Sequence, residues 1–182
     1  MMAPDDDGGA QRPCVKSLAR ILLAVYLVIL AWLVLFKFSI HLATVLHYGK
    51  RSLNFVPFSK TSGSSSQSVE NVLIFVPFGL LLSVNFKWMG FWSKLLIVFG
   101  ASIAAETIQY IFAIGATDVT DVIANTLGGL TGLVGYDLSI RYINQESLDR
   151  FIVLAGSVVL GLCLLLLITL EVTHGVRYHG HG

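Results

Sequence analysis

Two long runs of apolar residues decide what this chain can fold into. Residues 18–36 contain one charged side chain, Arg20, and residues 151–170 contain none. A bilayer core about 30 Å thick requires about 20 apolar residues of helix, so each run can cross a membrane. Only 13% of all residues are charged and 55% are apolar, whereas about 25% are charged in a soluble domain. The sequence therefore predicts a membrane protein and excludes a soluble enzyme with a water-exposed cleft.

Three further runs have the length of membrane helices but are shorter or more polar. They cover residues 71–86, 95–113 and 121–140. The second contains Glu106 and Gln109, and the third is rich in Gly and Thr. Together with the two long runs they predict an all-α, polytopic transmembrane helical bundle of about five spans.

The segments outside the spans complete the expected organisation. Between the first two spans, helical spacing of the apolar residues Phe38, Leu42, Val45 and Leu46 predicts a short amphipathic interfacial segment. Residues 61–68, TSGSSSQS, predict a flexible linker outside the core. We expect a polar N-terminal tail over residues 1–17, a transmembrane domain over residues 18–170 and a C-terminal tail over residues 171–182.

The distribution of basic residues predicts the orientation. With a cytoplasmic N-terminus, seven Lys and Arg side chains lie inside and five outside, and the inner set is closer to the helix ends. The first run is longer than the apolar part of a usual signal peptide, and no Ala-x-Ala cleavage site follows it. We therefore expect a retained first helix, a cytoplasmic N-terminus and an extracytoplasmic C-terminus.

Several other classes of function lack support in the sequence. The formal net charge is +1, so no basic face for nucleic acid is expected. Cys14 and Cys163 lie in a polar tail and an apolar run, which is no disulfide framework. The irregular spacing of the C-terminal histidines favours a solvated tail over a metal site. The sequence contains no known hydrolase, P-loop or dinucleotide signature.

Glu106 is the residue least expected inside a membrane span. An ionised side chain near the bilayer centre costs about 2.5–3.5 kcal/mol on insertion scales, so it should face protein or water. Ser102, Glu106 and Gln109 fall on one helical face, which predicts an inward polar stripe. The carboxyl could act as a proton acceptor, or it could be a polar clamp between helices. The sequence leaves both open.

A second polar face precedes a row of glycines in the fourth span. If the helix begins near Asp118, the spacing places six residues along one face: Asp118, Asp121, Asn125, Gly128, Gly132 and Gly135. The Gly128-x-x-x-Gly132 spacing permits close helix approach. For Asp118, the alternative is an N-cap at the start of the helix. With Asn71 at the same level, we expect Asn71, Asp118, Asp121 and Asn125 to meet near the outer face, above Glu106 and Gln109.

Phe-Val-Pro-Phe occurs on both sides of the polar linker. The first copy contains Pro57, and the second contains Pro77 followed by Gly79. A proline inside a span frees a backbone carbonyl and bends the helix. A simple kink is the alternative to a functional role for Pro77.

Four short motifs of this chain resemble motifs of the VanZ-like family of membrane proteins, and they occur in the same order as in that family. Residues 54–58, Asn-Phe-Val-Pro-Phe, are similar to the family's Asn-Leu-Ile-Pro-Phe element, and residues 71–79 are similar to its Asn-x-x-x-Phe-x-Pro-x-Gly element. Glu106-Thr-Ile-Gln109 resembles its Glu-x-x-Gln motif, and residues 118–132 resemble its stretch of paired acids, Asn and Gly. The resemblance covers about residues 50–136. The family commonly has an Arg shortly before the paired acids, whereas Gly115-Ala116-Thr117 stands here, so no anion-binding role of that Arg is carried over.

The resemblance implies a multi-pass bacterial plasma-membrane protein of the cell envelope, in a family named after an accessory protein of teicoplanin resistance. Its partner would be a lipid-linked cell-wall precursor, a lipoglycopeptide or a similar amphiphile bound in an outward polar pocket. Asn71, Gln109 and Asn125 are the candidate binding residues, and Pro57, Pro77, Gly79, Gly128 and Gly132 are the candidate structural residues.

Two further functions stay open on the sequence. In a membrane enzyme, Glu106, Asp118 and Asp121 would supply acid and base chemistry on a lipid-linked substrate, with a divalent cation as a possible cofactor. In a proton-coupled transporter or flippase, Glu106 would relay the proton.

Overall fold

Five α-helices and two three-residue strands form the part of the chain that the computed structural model describes, residues 11–35, 52–54, 65–112 and 116–179. In chain order, the elements are α1 Gln11–Leu35, β1 Ser52–Asn54, α2 Ser65–Asn85, α3 Phe91–Phe112, β2 Ala116–Asp118, α4 Val119–Ser139 and α5 Gln145–His179. The predicted helical bundle is confirmed. Helices suit a bilayer because they satisfy their own backbone hydrogen bonds.

Four of the helices are long and apolar enough to cross a membrane. Their apolar stretches are Val15–Val34, Gln67–Asn85, Phe91–Phe112 and Gln145–Leu165. The fourth helix, α4, has 21 residues. It is not among the candidate spans found in the described residues, because its Asp, Thr and Gly residues lower its hydropathy. Of the five predicted spans, four therefore meet the test of length and composition, and the chain is a multi-pass membrane protein.

The helix outside this set, α4, packs inside the bundle. Its most extensive contact is with α2, and it also packs against α3. Leu133 of α4 is fully buried, whereas Val158 and Leu162 of α5 are about 60% exposed. The exposed apolar surface of α5 is suited to lipid, and the inner position of α4 explains how its polar residues are shielded from lipid.

Glycine permits the close approach of α2 and α4. A Cβ atom at Gly132 would lie 2.2 Å from the carbonyl oxygen of Val76, and one at Gly128 would lie 2.2 Å from that of Val72. From the other side, a Cβ at Gly79 would lie 2.2 Å from the Gly129 carbonyl oxygen. These distances leave no room for any side chain, as expected for helices that pack through small residues.

The predicted glycine face ends earlier than expected. Among the described residues, no atom of another element lies within 4 Å of a Cβ built at Gly135, so its inclusion in the close-packed face was wrong. Gly129, which the heptad-like spacing omitted, is in contact instead: its Cβ would lie 2.3 Å from the Val98 side chain of α3. Gly128 and Gly129 thus face two different helices.

Pro77 lies inside α2, and the helix continues past it. One turn before it, the carbonyl oxygen of Ile74 accepts a hydrogen bond from the hydroxyl of Tyr26 in α1. A polar side chain of a neighbouring helix therefore contacts the backbone next to the proline, which is how membrane helices tolerate such residues.

The two strands were not predicted. They pair in parallel, with Ser52 opposite Ala116, Leu53 opposite Thr117 and Asn54 opposite Asp118. Each strand has only three residues, too few for an alternating pattern to be detected. The pairing brings Asn54, the first residue of the first motif, beside the start of α4.

Three helices extend beyond the segments that were predicted as spans. α2 begins at Ser65, so the proposed linker over residues 61–68 is helical in its second half. α1 already begins at Gln11, and α5 continues to His179, beyond residue 170. The amphipathic interfacial segment and Pro57 lie outside the described residues.

Candidate functional site

The polar residues of three motifs meet at one end of the bundle, where α1 and α3 end and α2 and α4 begin. A small cavity lies between these helix ends and is lined by Leu33, Val34, Gln67, Asn71, Glu106, Gln109 and Asp121. The buried residues of α3 are Lys94, Val98, Ser102, Glu106 and Gln109, so its polar stripe points into the protein, as the spacing predicted.

Asn71 and Asp121 connect the first turns of α2 and α4. The Asn71 Nδ2 atom donates a hydrogen bond to Asp121 Oδ1 at 2.8 Å, and the two residues are 7% and 5% exposed. A buried carboxylate is stable only with such partners, and its place near the N-terminus of α4 adds the favourable field of the helix dipole.

Asp118 and Glu106 organise the backbone where β2 passes into α4. Asp118 is the N-cap of α4, and its Oδ1 atom accepts a hydrogen bond from the Thr120 amide at 2.8 Å. The amide of Asp118 donates to Glu106 Oε2 at 3.1 Å. The capping alternative therefore describes Asp118, whose side chain does not line the cavity. Glu106 both lines the cavity and accepts a hydrogen bond from the backbone amide at the N-terminus of α4.

Gln109 and Asn125 each form a hydrogen bond to a neighbouring helix. Gln109 Nε2 donates to the Val34 carbonyl oxygen at 2.7 Å, which satisfies a carbonyl in the last turn of α1. Deeper in the bundle, Asn125 Nδ2 donates to Ser102 Oγ at 3.0 Å. Asn125 is fully buried but does not line the cavity. Of the predicted binding residues, Asn71 and Gln109 therefore share the cavity and Asn125 lies apart from it.

The cavity is small and strongly acidic for its size. Its volume is about 10 Å³, which is at the lower limit for one water molecule. Two carboxyl groups, those of Glu106 and Asp121, and the side-chain amides of Gln67, Asn71 and Gln109 surround it. This set of groups suits a proton, a water molecule or one hydrogen-bond donor of a ligand.

A divalent cation finds few ligands in this arrangement. Among the described residues, no group of three or more His, Cys, Asp or Glu side chains is placed to hold a metal ion. Two carboxylates and neighbouring amide oxygens could supply some of the six or more oxygen ligands that Ca²⁺ requires. The cavity therefore supplies only part of a Ca²⁺ ligand set.

The sequence patterns missed one polar residue of the cavity. Gln67 lines the cavity, although it belongs to the stretch that was expected to be a linker. Its spacing of four residues from Asn71 places both on one helical face, and this spacing is the signal that could have identified it. The composition of the Ser-rich stretch concealed that signal.

A cluster at the opposite end was also missed. Asp149 of α5 accepts a hydrogen bond from the Tyr136 hydroxyl at 2.7 Å and forms an ion pair with Lys87. Tyr136 is in α4, and Lys87 follows α2. Lys87 and Asp149 are 62 residues apart and Tyr136 and Asp149 are 13 residues apart, so no local motif indicates this cluster.

The fold and the motif positions define a helical, multi-pass membrane protein with an acidic cavity at one end. The VanZ/LLP1 family model matches residues 23–142. Over 149 residues, the chain is 53% identical to "Protein VanZ" from Enterococcus faecium, and the match covers 82% of this chain and 92% of that protein. The chain belongs to the VanZ/LLP1 family. No solved structure matches it.

Proposed function

We propose that this protein acts in the bacterial plasma membrane and recognises a lipid-linked or amphiphilic molecule of the cell envelope. The cavity between Asn71, Glu106, Gln109 and Asp121 would bind a hydrogen-bond donor of that molecule's headgroup. By binding the cell-wall precursor or the lipoglycopeptide itself, the protein would lower sensitivity to teicoplanin. Similarity to "Protein VanZ" supports the family role, and the cavity supports recognition of a polar group.

One observation carries this proposal: Glu106 and Asp121 face the same cavity although they are only 4% and 5% exposed. Burying carboxyl groups in a membrane bundle is unfavourable, and such residues commonly mark functional sites. A bundle that needed only polar links between helices could use amides, as it does with Asn125 and Ser102. Two acidic groups at one cavity favour a ligand that carries a proton or a positive charge.

The size of the cavity limits what enters it. About 10 Å³ admits a single small group such as an ammonium or a hydroxyl, which is comparable to one water molecule. The rest of the ligand would lie outside the cavity, at the end of the bundle or along the lipid. The proposal therefore concerns recognition of one headgroup rather than enclosure of a whole antibiotic.

The charges at the two ends support an outward cavity. Lys16, Lys87 and Arg150 lie with Trp88 around a second cavity at the end opposite the acidic site. Under the positive-inside rule, the basic end faces the cytoplasm. The N-terminus would then be cytoplasmic, and the acidic cavity would open toward the cell wall.

Charge-removing substitutions test the proposed role. In a teicoplanin-sensitive host expressing the wild-type chain, we expect Glu106→Gln and Asp121→Asn to abolish the gain in resistance at equal membrane abundance. The matched controls are Glu70→Gln, an exposed carboxyl in α2, and Asp137→Asn, a partly exposed one in α4; both should retain resistance. Full resistance in both site variants would show that Glu106 and Asp121 are structural.

A membrane enzyme is the second candidate, because Glu106 and Asp121 are placed at one cavity as an acid and base pair would be. In this case, purified protein in liposomes would convert a lipid-linked precursor, with a pH-dependent rate that Glu106→Gln abolishes. Binding of the unchanged precursor, without product, would favour recognition over catalysis.

A further inference from the structure

A second and much larger cavity lies at the end of the bundle opposite the acidic site. Its volume is about 460 Å³, within the range of sites that bind small molecules. It lies between the start of α1, the segment that follows α2 and the first turns of α5. Its basic side chains are Lys16, Arg20, Lys87 and Arg150.

The charges around this cavity are not balanced. Four basic and two acidic side chains line it, Glu146 and Asp149 being the acidic ones, so its formal net charge is +2. Within this lining, Asp149 forms an ion pair with Lys87 and also accepts a hydrogen bond from the Tyr136 hydroxyl. Lys16 and Arg20 are four residues apart on one face of α1, where like charges repel. An anion between these helices would relieve that repulsion.

The cavity also has an apolar wall. Val15 and Ala19 of α1, Val84 of α2 and the indole of Trp88 line it beside the charged groups. Trp88 is 81% exposed, which is typical of a tryptophan at a membrane interface. A soluble anion would use only the basic groups, whereas a lipid would use both walls, with its phosphate at the cations and its glycerol and chains at the apolar residues.

We propose that this cavity binds the phosphate group of an anionic phospholipid from the adjacent leaflet. Arg20 and Arg150 lie on different helices, α1 and α5, and guanidinium groups suit phosphate because they can donate two parallel hydrogen bonds. Basic pockets between transmembrane helices at the cytoplasmic side have the chemistry that recognises such headgroups. The bound lipid would connect α5, which packs mainly against α1, to the rest of the bundle.

Thermal unfolding of the purified full chain in detergent tests this binding. We expect phosphatidylglycerol to raise Tm by a few degrees, and equal amounts of phosphatidylcholine to leave it unchanged. Inorganic phosphate and glycerol phosphate at matched concentration are the soluble control ligands, and neither should raise Tm as phosphatidylglycerol does. A shift with phosphatidylcholine, or with the soluble anions alone, would overturn the assignment to an anionic lipid.

Two arginine variants locate the site. Arg20→Gln and Arg150→Gln change exposed side chains and should fold. Each should weaken phosphatidylglycerol binding by about fivefold, which corresponds to about 1 kcal/mol. Arg141→Gln removes an exposed cation outside the cavity lining and should bind lipid as the wild type does. Native mass spectrometry of retained lipid gives a second reading that does not depend on unfolding. Equal lipid retention in all three variants would overturn the proposal.

The acidic residues Asp5, Asp6 and Asp7 of this chain provide the remaining control. If a lipid occupies the cavity, replacing all three by Asn should leave the phosphatidylglycerol shift at least as large as in the wild type. If these carboxylates occupied it, the wild type would show no lipid shift and the Asn variant would gain one. The latter result would also overturn the proposal.

Discussion

The side-chain amide of Asn71 donates a hydrogen bond to the Asp121 carboxylate at 2.8 Å, across fifty residues of sequence. This contact joins the starts of α2 and α4, the two helices with the most extensive interface. The same two helices exclude all side chains at Gly79, Gly128 and Gly132. The polar contact at the cavity and the glycine contact below it therefore fix one helix pair at two levels.

Exchanging the two groups separates charge from packing. Asn71→Asp places a second carboxyl against Asp121, so it should lower Tm in detergent through repulsion and desolvation. Adding Asp121→Asn restores one carboxyl and one amide across the same gap, and Tm should return most of the way to wild type. A double variant no more stable than Asn71→Asp alone would contradict the direct contact.

The resistance of the exchanged variant answers a different question. If a ligand group must meet a carboxyl at the α4 position, the double variant should fold but stay sensitive to teicoplanin. Full resistance in the double variant would mean that only the pair of groups matters, and not the position of the charge.

Glycine substitutions measure how tightly α2 and α4 pack. Gly132→Ala puts a methyl group 2.2 Å from a backbone carbonyl oxygen, which cannot move aside as a side chain would. We expect a loss of about 1–3 kcal/mol in the free energy of unfolding. In the part of the chain that the structure describes, Gly135→Ala in the same helix and Gly161→Ala in α5 meet no atom of another element within 4 Å, so they should be neutral or slightly stabilising. Equal behaviour of all three would refute the close approach.

The contrast between Gly132 and Gly135 shows what sequence spacing can and cannot predict. Both lie on one face of α4 by spacing, but only Gly132 has a partner backbone beside it. Periodicity identifies which residues share a face, and so it correctly grouped Ser102, Glu106 and Gln109. It contains no information on where a neighbouring helix diverges, and this requires the tertiary structure.

The same limit applies to contacts between distant segments. Asn71 and Asp121 could be placed at one level because helix lengths and directions set the depth of each residue. The parallel pairing of Asn54 with Asp118 and the contact of Asp149 with Tyr136 depend on how the helix ends meet laterally. No local sequence pattern encodes this lateral arrangement of the helix ends. Gln67 was missed for a different reason, because the composition of its Ser-rich surroundings is typical of a linker.

Cysteine labelling checks the orientation of the bundle. In a variant without Cys14 and Cys163, we expect Ser65→Cys and Thr117→Cys to react with an impermeant reagent added to intact cells, because α2 and α4 begin at the same end. Tyr142→Cys, at a position 88% exposed at the other end, should react only after the cells are opened. Labelling of positions 65 and 117 from opposite sides would contradict the antiparallel bundle.

Three tyrosine variants compare hydroxyl groups at different places. Tyr26→Phe removes the bond to the Ile74 carbonyl, and Tyr136→Phe removes the bond to Asp149. Each should lower the free energy of unfolding by about 1 kcal/mol. Tyr142→Phe changes an exposed ring and should leave Tm unchanged. If Tyr26→Phe and Tyr136→Phe also melt like the wild type, these hydroxyls do not contribute to stability.

Glu106 allows the clearest separation of a structural from a functional role. Its Oε2 atom accepts the Asp118 amide at 3.1 Å, and the side-chain oxygen of a glutamine can accept the same bond. Glu106→Gln should therefore change the free energy of unfolding by less than about 1 kcal/mol, whereas Glu106→Ala removes this acceptor from the buried Asp118 amide and should lower that free energy by about 1–3 kcal/mol. Resistance should be lost in both variants if the carboxyl meets a ligand. Were resistance instead to follow stability, being kept in Glu106→Gln and lost only in Glu106→Ala, the role of Glu106 would be to hold the start of α4.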